Sequence, residues 1–397
     1  MKRLLLLLVC ASACVSGLAA RAAAGGVGAR VFIVERSSAS LAVYDLAERR
    51  LLPERITGLG DLHHATMTFA PDLRYGFLAT RSGQLTRIDL ESLSVAGTVF
   101  TSKNSIDNAI SQDGRFLAVA EYVPGGLSIL DVATLQTIKH FPASFKRGDQ
   151  EMDARVTGVV DGLGNTFVCV SIEAAEIWVV ALGAAGPEIE RRIPTLAAMP
   201  YDAMITPDGR YYLVGHVGTD SVSVLDLARL DAGVRAVSLR DPAETFVRTT
   251  PVKLPHMASW AVARGQVFVP LVGEKRLAVV DSATWTFARS VPLRGHPVYA
   301  VRAPSEREVW VSFSGDADDS FVQVVDTETL AVTRTLEIGG RIYHMDFTPR
   351  GAHVLVSANR DNKLVVVDAN RYEIVDSEEL RSPSGIFGVW RAFKTGL

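Results

Sequence analysis

The residues able to do chemistry in this 397-residue chain recur at matched places. Eight histidines occur, and two of them are adjacent in "DLHHATMTFAPDLRY" (61–75). His64 and His256 stand eight residues before the turn residues Asp72 and Arg264. Asp107, Arg155, Asp202 and His344 stand six before Asp113, Asp161, Asp208 and Arg350. All these offsets are even, and strand side chains alternate with period two, so the spacing predicts that the six share one side of successive strands. His63, one residue out of step, points the other way. Trp260, Tyr201 and Tyr343 fall close by. Neutral imidazole ligates transition metals and haem iron. A guanidinium grips carboxylates, and aromatic rings offer faces to a flat ligand. Histidines spread over three separate units suit opposite walls of a pocket better than one small ion. For each His or Asp alone, satisfying a backbone group of a neighbouring unit is the structural alternative.

What must position such a ring is a repeat. An apolar–apolar–Asp phrase ends at Asp45, Asp89, Asp131, Asp226, Asp281, Asp326 and Asp368, with "VVAL" at Ala181 filling one gap, at intervals of 42–55 residues. Turns such as "PDLRY", "QDGRF" and "PDGRY" stand upstream. Each unit reads as strand, turn, strand, turn, strand ending at Asp, then a fourth strand. Four-stranded units of this length are propeller blades. The expected fold is therefore an all-β, eight-bladed propeller over 30–394, or seven-bladed if one unit is degenerate. The stretch 384–394 would supply the strand missing from the first unit and so close the ring. The recurring aspartates repeat with the fold and are read as turn-makers. The acidic run "SGDADDS" (314–320) is read as a solvated turn rather than a calcium loop. The charged stretch 228–254, with Pro242 and Pro251, is expected to arch over one mouth of the channel.

The bulk composition narrows the function. Hydrophobic residues make up 48% of the chain, enough for a large core, and the net charge is −3 with no basic stripe for a nucleic acid. Lys2 and Arg3 precede the uncharged stretch Leu4–Ala20, an export signal by length and flanks. Cleavage after residues 22–24 would release a soluble periplasmic protein. The "ASAC" at 11–14 would instead allow a lipid anchor on Cys14. Residues 1–24 are thus read as a signal. Processing would leave Cys169 alone, a buried structural thiol with no disulfide partner. "GLGNTF" (162–167) breaks the dinucleotide fingerprint, and no C-x-x-C-H, G-x-S-x-G or H-E-x-x-H occurs.

The stretches at 62–90, 105–131 ("SIDNAISQDGRFLAVAEYVPGGLSILD") and 152–160 ("MDARVTGVV") resemble the NirF family of heme d1 biosynthesis, propellers related to NirN and to the d1 domain of cytochrome cd1 nitrite reductase. The resemblance implies that His64 ligates the iron of heme d1 or dihydro-heme d1. It implies that Arg155 meets a tetrapyrrole carboxylate, with Tyr201, His344 and Trp260 completing the pocket. His256, in "KLPHMASW", together with Asp107 or Asp202, would move protons. Where the reductase has a second distal histidine, this chain has "MPYDAM", a departure that points away from nitrite reduction. Three readings follow. The first is an enzyme modifying a tetrapyrrole side chain, of oxidoreductase or lyase type. The second is a carrier delivering the tetrapyrrole to NirN or nitrite reductase. The third is a generic secreted YVTN-type propeller, suggested by "YLVGHVGTDSVSVLDL", that binds no tetrapyrrole.

Overall fold

The computed structural model describes residues 25–241, Ala243, Thr245 and 259–394. The expected signal with Cys14, and His256, lie outside the described residues. Eight four-stranded antiparallel sheets follow one another around an axis, as the repeat predicts. Blade two is typical, with strands Ala65–Phe69, Tyr75–Thr80, Gln84–Asp89 and Ser94–Phe100 running from the axis outwards. Its second strand is almost wholly buried and its outer strand mostly exposed. That gradient explains the continuous apolar runs of the middle strands, which are covered on both faces by neighbouring blades. Clusters such as Phe32, Leu41, Met67, Phe69 and Leu78 fill the space between blades one and two.

Closure is by the C-terminus. Pro383–Gly388 is the innermost strand of blade one and pairs antiparallel with Arg30–Glu35, Phe32 facing Phe387 and Ile33 facing Ile386. The recurring aspartates make the expected turns. Asp89 accepts from the N–H groups of Glu91 and Ser92, Asp281 from Ala283 and Thr284, and Asp326 from Glu328 and Thr329. Backbone N–H groups are the chief cause holding Asp89, Asp281, Asp326 and Asp368 below the usual carboxylate range. Cys169 is fully buried in blade four, and burial pushes its thiol far up, which suits a structural role.

Three features differ from expectation. Val234–Ser238, expected in an arching loop, is the outer strand of blade five. A two-stranded hairpin, Ser144–Arg147 with Gln150–Asp153, stands between blades three and four. Its strands are polar and mostly exposed, so no apolar alternation announced it. The acidic run forms the expected turn with Asp316 exposed, but its two less exposed carboxylates are ion-paired: Asp318 meets Arg294 Nε at 3.1 Å, and Asp319 meets the Arg360 guanidinium at 2.6 Å.

Adjacent blades share no backbone ladder at the axis, so side chains bridge them. Thr66 donates to Asn108 Oδ1 at 3.0 Å between blades two and three, and Asn359 donates to the Pro383 carbonyl at 2.9 Å between blades eight and one. Gly158 of blade four is held from both sides. Its N–H donates to Asp107 Oδ2 at 3.0 Å, and its carbonyl accepts from Tyr212 Oη at 2.6 Å. It has φ +65°, and a Cβ there would stand 2.8 Å from the Ala203 Cβ and 2.9 Å from Tyr212 Oη. Gly158→Ala should therefore cost about 2–5 kcal/mol, summing left-handed strain and overpacking, read from denaturant unfolding. A chain stopped at Arg381 should fail to give a cooperative thermal transition and should aggregate, since blade one loses its inner strand; a soluble, sharply melting product would contradict closure by this strand.

Candidate functional site

Residues at the starts of the inner strands gather at one mouth of the channel. His64 immediately precedes the inner strand of blade two, and its carbonyl accepts from the Arg81 N–H at 3.1 Å. His64 is half-buried and lines an axial cavity. Asp107, Tyr343 and His344 line the same cavity from other blades. His63 also reaches the cavity edge, but its side chain is 74% exposed and its Nδ1 lies 2.6 Å from Asp61. The Asp61 carboxyl is held below its usual range, first by the His63 backbone N–H. Of the adjacent pair, His64 is the one set into the wall.

The two buried carboxyls face each other across blade four. Asp107 accepts from Thr157 Oγ1 at 2.8 Å as well as from the Gly158 N–H. Burial pushes its pKa up to about 6, against the pull of these two bonds. Asp202, 3% exposed in blade five, accepts from Ser259 Oγ at 2.7 Å. Burial pushes it up to about 8, and repulsion from Asp107 adds to the shift. Of the two, Asp202 is the one held more strongly towards its protonated form.

The remaining expected residues divide. Tyr201, Asp202 and Trp260 line a neighbouring hollow of about 970 Å³ between blades five and six. The Trp260 ring packs on Gly215, where a Cβ would come within 2.7 Å of it. His344 presents Nδ1 to the Ile386 N–H at 3.3 Å and its ring edge to Tyr299, so it bridges blades as well as lining the cavity. Arg155 sits on the rim. Its guanidinium meets Glu173 Oε1 at 2.6 Å and lies 5.3 Å over the Tyr122 ring. The ladder of blade four slips between Thr157 and Val160, so counting in twos from Asp161 loses parity before it reaches Arg155. His344 likewise falls inside a slip between Ile342 and Met345.

Several neighbours were not anticipated. Tyr122 hydrogen-bonds Tyr201 and carries Arg81 and Arg155 over its ring at 6.0 and 5.3 Å. Arg36 lies 5.0 Å over Tyr343. His216 is fixed by Ser223 Oγ at 2.8 Å, and burial keeps its pKa below the ordinary value. Arg81 could have been found from the register alone, because Ala65 faces Thr80 and the next pair outward is His64 with Arg81. Among the described residues, no three His, Cys, Asp or Glu side chains converge as a protein-only metal centre requires. A haem iron needs only an axial ligand from the protein.

The family model described as Cytochrome D1 heme domain matches residues 28–392. Protein NirF of Pseudomonas aeruginosa is 37% identical over 372 residues, covering 94% of each chain. The chain belongs to the cytochrome D1 heme domain family. A second family member, Protein NirF of Stutzerimonas stutzeri, is 36% identical, again over 94% of both chains. A solved structure titled dihydro-heme d1 dehydrogenase NirN in complex with DHE superimposes with a TM-score of 0.77 at 23% identity, covering 92% of this chain and 76% of that one. This likeness establishes the shared propeller.

Asp202 gives this member of the family a pH signature. A carboxyl whose folded pKa is raised binds more protons folded than unfolded, so its contribution to stability falls as pH rises from about 4 towards 8. Asp202→Asn should remove that slope. We expect it to stabilise the protein by about 1–3 kcal/mol at pH 8 and by much less at pH 5, read as melting temperature against pH. Equal slopes for both proteins would mean that Asp202 does not titrate in this range.

Proposed function

We propose that this chain binds heme d1 or its dihydro-heme d1 precursor at the His64 mouth and takes part in maturation of that ring. The observation that carries the reading is one half-buried imidazole in the wall of the axial cavity, which Tyr343 also lines with Arg36 lying over its ring. When bound, the tetrapyrrole would supply the iron and a ligation-sensitive absorption band. His64 would be its axial ligand. Arg36 and Arg81 would meet carboxylates at the ring's periphery, and Arg155 would do so while shared with Glu173. Tyr201, Tyr343 and His344 would form walls, and Trp260 would back Asp202.

The ring's fate depends on protons. Asp202, held more strongly towards its protonated form, would be the donor and Asp107 the acceptor, on opposite sides of blade four. His256 belongs to the same reading as a further proton carrier, because its segment rejoins the described chain at Ser259, the residue bonded to Asp202. Export on residues 1–24, with or without a lipid at Cys14, would place the protein in the periplasm. Transfer of the ring to NirN or cytochrome cd1 nitrite reductase would complete its role. Among the described residues no helix is long and apolar enough to cross a membrane.

The test is a spectral titration of the purified protein with heme d1 and with dihydro-heme d1. The wild type should shift the absorption band of at least one of them. His64→Ala should lose the shift and bind at least about 10-fold more weakly. Slow conversion of one added ring would mark an enzyme, and stoichiometric binding without conversion a carrier. Unshifted spectra with both rings, or identical titrations for the variant, would leave a propeller of another function.

A further inference from the structure

The opposite end of the channel is built differently. After the closing strand the chain turns through Val389–Phe393 and ends its described part at Lys394. Arg391 lines both the His64 cavity and a larger hollow at this far end. Arg302, Asp346 and Lys394 line the far hollow with it.

Charge here is not balanced. The Arg302 guanidinium is hydrogen-bonded to Glu306, which accounts for that cation. Asp346 attracts both Arg391 and Lys394. Among the described residues the Arg391 guanidinium has no hydrogen bond or ion pair, and it lies 5.3 Å over the Phe387 ring. Two cations thus line one concave hollow with a single carboxylate, Arg391 the more buried and Lys394 the more exposed of the pair. Burial lowers the pKa of both Arg391 and Lys394, and Lys394 is lowered further by Arg391 and Arg302, as expected of a place short of negative charge.

The geometry points to an anion site at this end of the channel, where Arg391 and Lys394 hold a small oxyanion that still carries a proton, with Asp346 accepting that proton's hydrogen bond. The carboxylate decides the class. An acceptor-only group repels a fully deprotonated anion and welcomes one that can donate. Hydrogen phosphate has the required O–H, and sulfate does not. The site needs no tetrapyrrole, so it can stand or fall separately from the reading of the His64 mouth.

Calorimetric titration of the full, tetrapyrrole-free chain with inorganic phosphate at neutral pH and constant ionic strength tests it. Phosphate should bind at one site, and sulfate roughly 10-fold more weakly or not at all. Arg391→Gln and Lys394→Gln should each weaken phosphate binding by about 10-fold, the loss of one charged hydrogen bond. Asp346→Asn should narrow the gap between the two anions. Lys394 is exposed, so its variant remains informative if Arg391→Gln fails to fold. Absence of saturable phosphate binding, equal binding of sulfate, or phosphate binding unchanged in both cation variants would overturn the proposal.

Discussion

The structure depends on how eight separate sheets are tied together at the axis, and Gly158 shows the constraint most clearly. Each blade satisfies most of its backbone within its own sheet, and a slip in an inner strand turns groups out towards its neighbours. At Gly158 the slip turns the N–H towards blade three and the carbonyl towards blade five, and both groups are buried. Left without partners they would cost more than most single contacts yield. Asp107 and Tyr212 take them up. Only a residue without Cβ can make that turn in that space.

This requirement brings acidic groups to the axis and sets their chemistry. Asp107 and Asp202 are buried because they bridge blades, and burial is the main cause of their raised pKa values. The bonds from Thr157, Gly158 and Ser259 keep the shifts from growing further. A structural bridge and a proton-holding group are the same atoms here. Bracing the fold is thus by itself enough to raise the pKa values of these two aspartates.

Much of this was readable in the sequence, for a physical reason. The strand–turn unit repeats eight times and its third strand ends at Asp in seven of them, so any single unit is confirmed by the others, and even the pairing of the two termini could be anticipated. Parity survives some slips and not others: Asp107 and Asp202 stand at the edge of one and still line the channel hollows. In blade two the inner strand pairs without a slip, and His64 stands where counting from Asp72 places it. In blade four the slip at Gly158 defeats the count, and Arg155 comes out on the rim with Glu173. Partners that meet through tertiary packing, such as Tyr122 with Tyr201 or Arg36 with Tyr343, leave no spacing signal because they sit on different blades. The polar hairpin at 144–153 escaped for the complementary reason, having no buried face to impose a period.

The two ends of the channel differ because one of them adds a non-repeating segment to the repeated strands. The His64 mouth is assembled from the starts of inner strands, which every blade supplies, so its chemistry is tuned by substituting one residue per blade. The far end is lined partly by Val389–Phe393, a segment with no counterpart elsewhere in the ring. That segment follows directly from the strand that closes blade one, so Arg391 is carried into the channel by the same stretch of chain that completes the fold. Closure and the placing of a cation at the axis are thus one event. A guanidinium brought there by the backbone, rather than by an acidic partner, is what leaves that end of the channel positively charged.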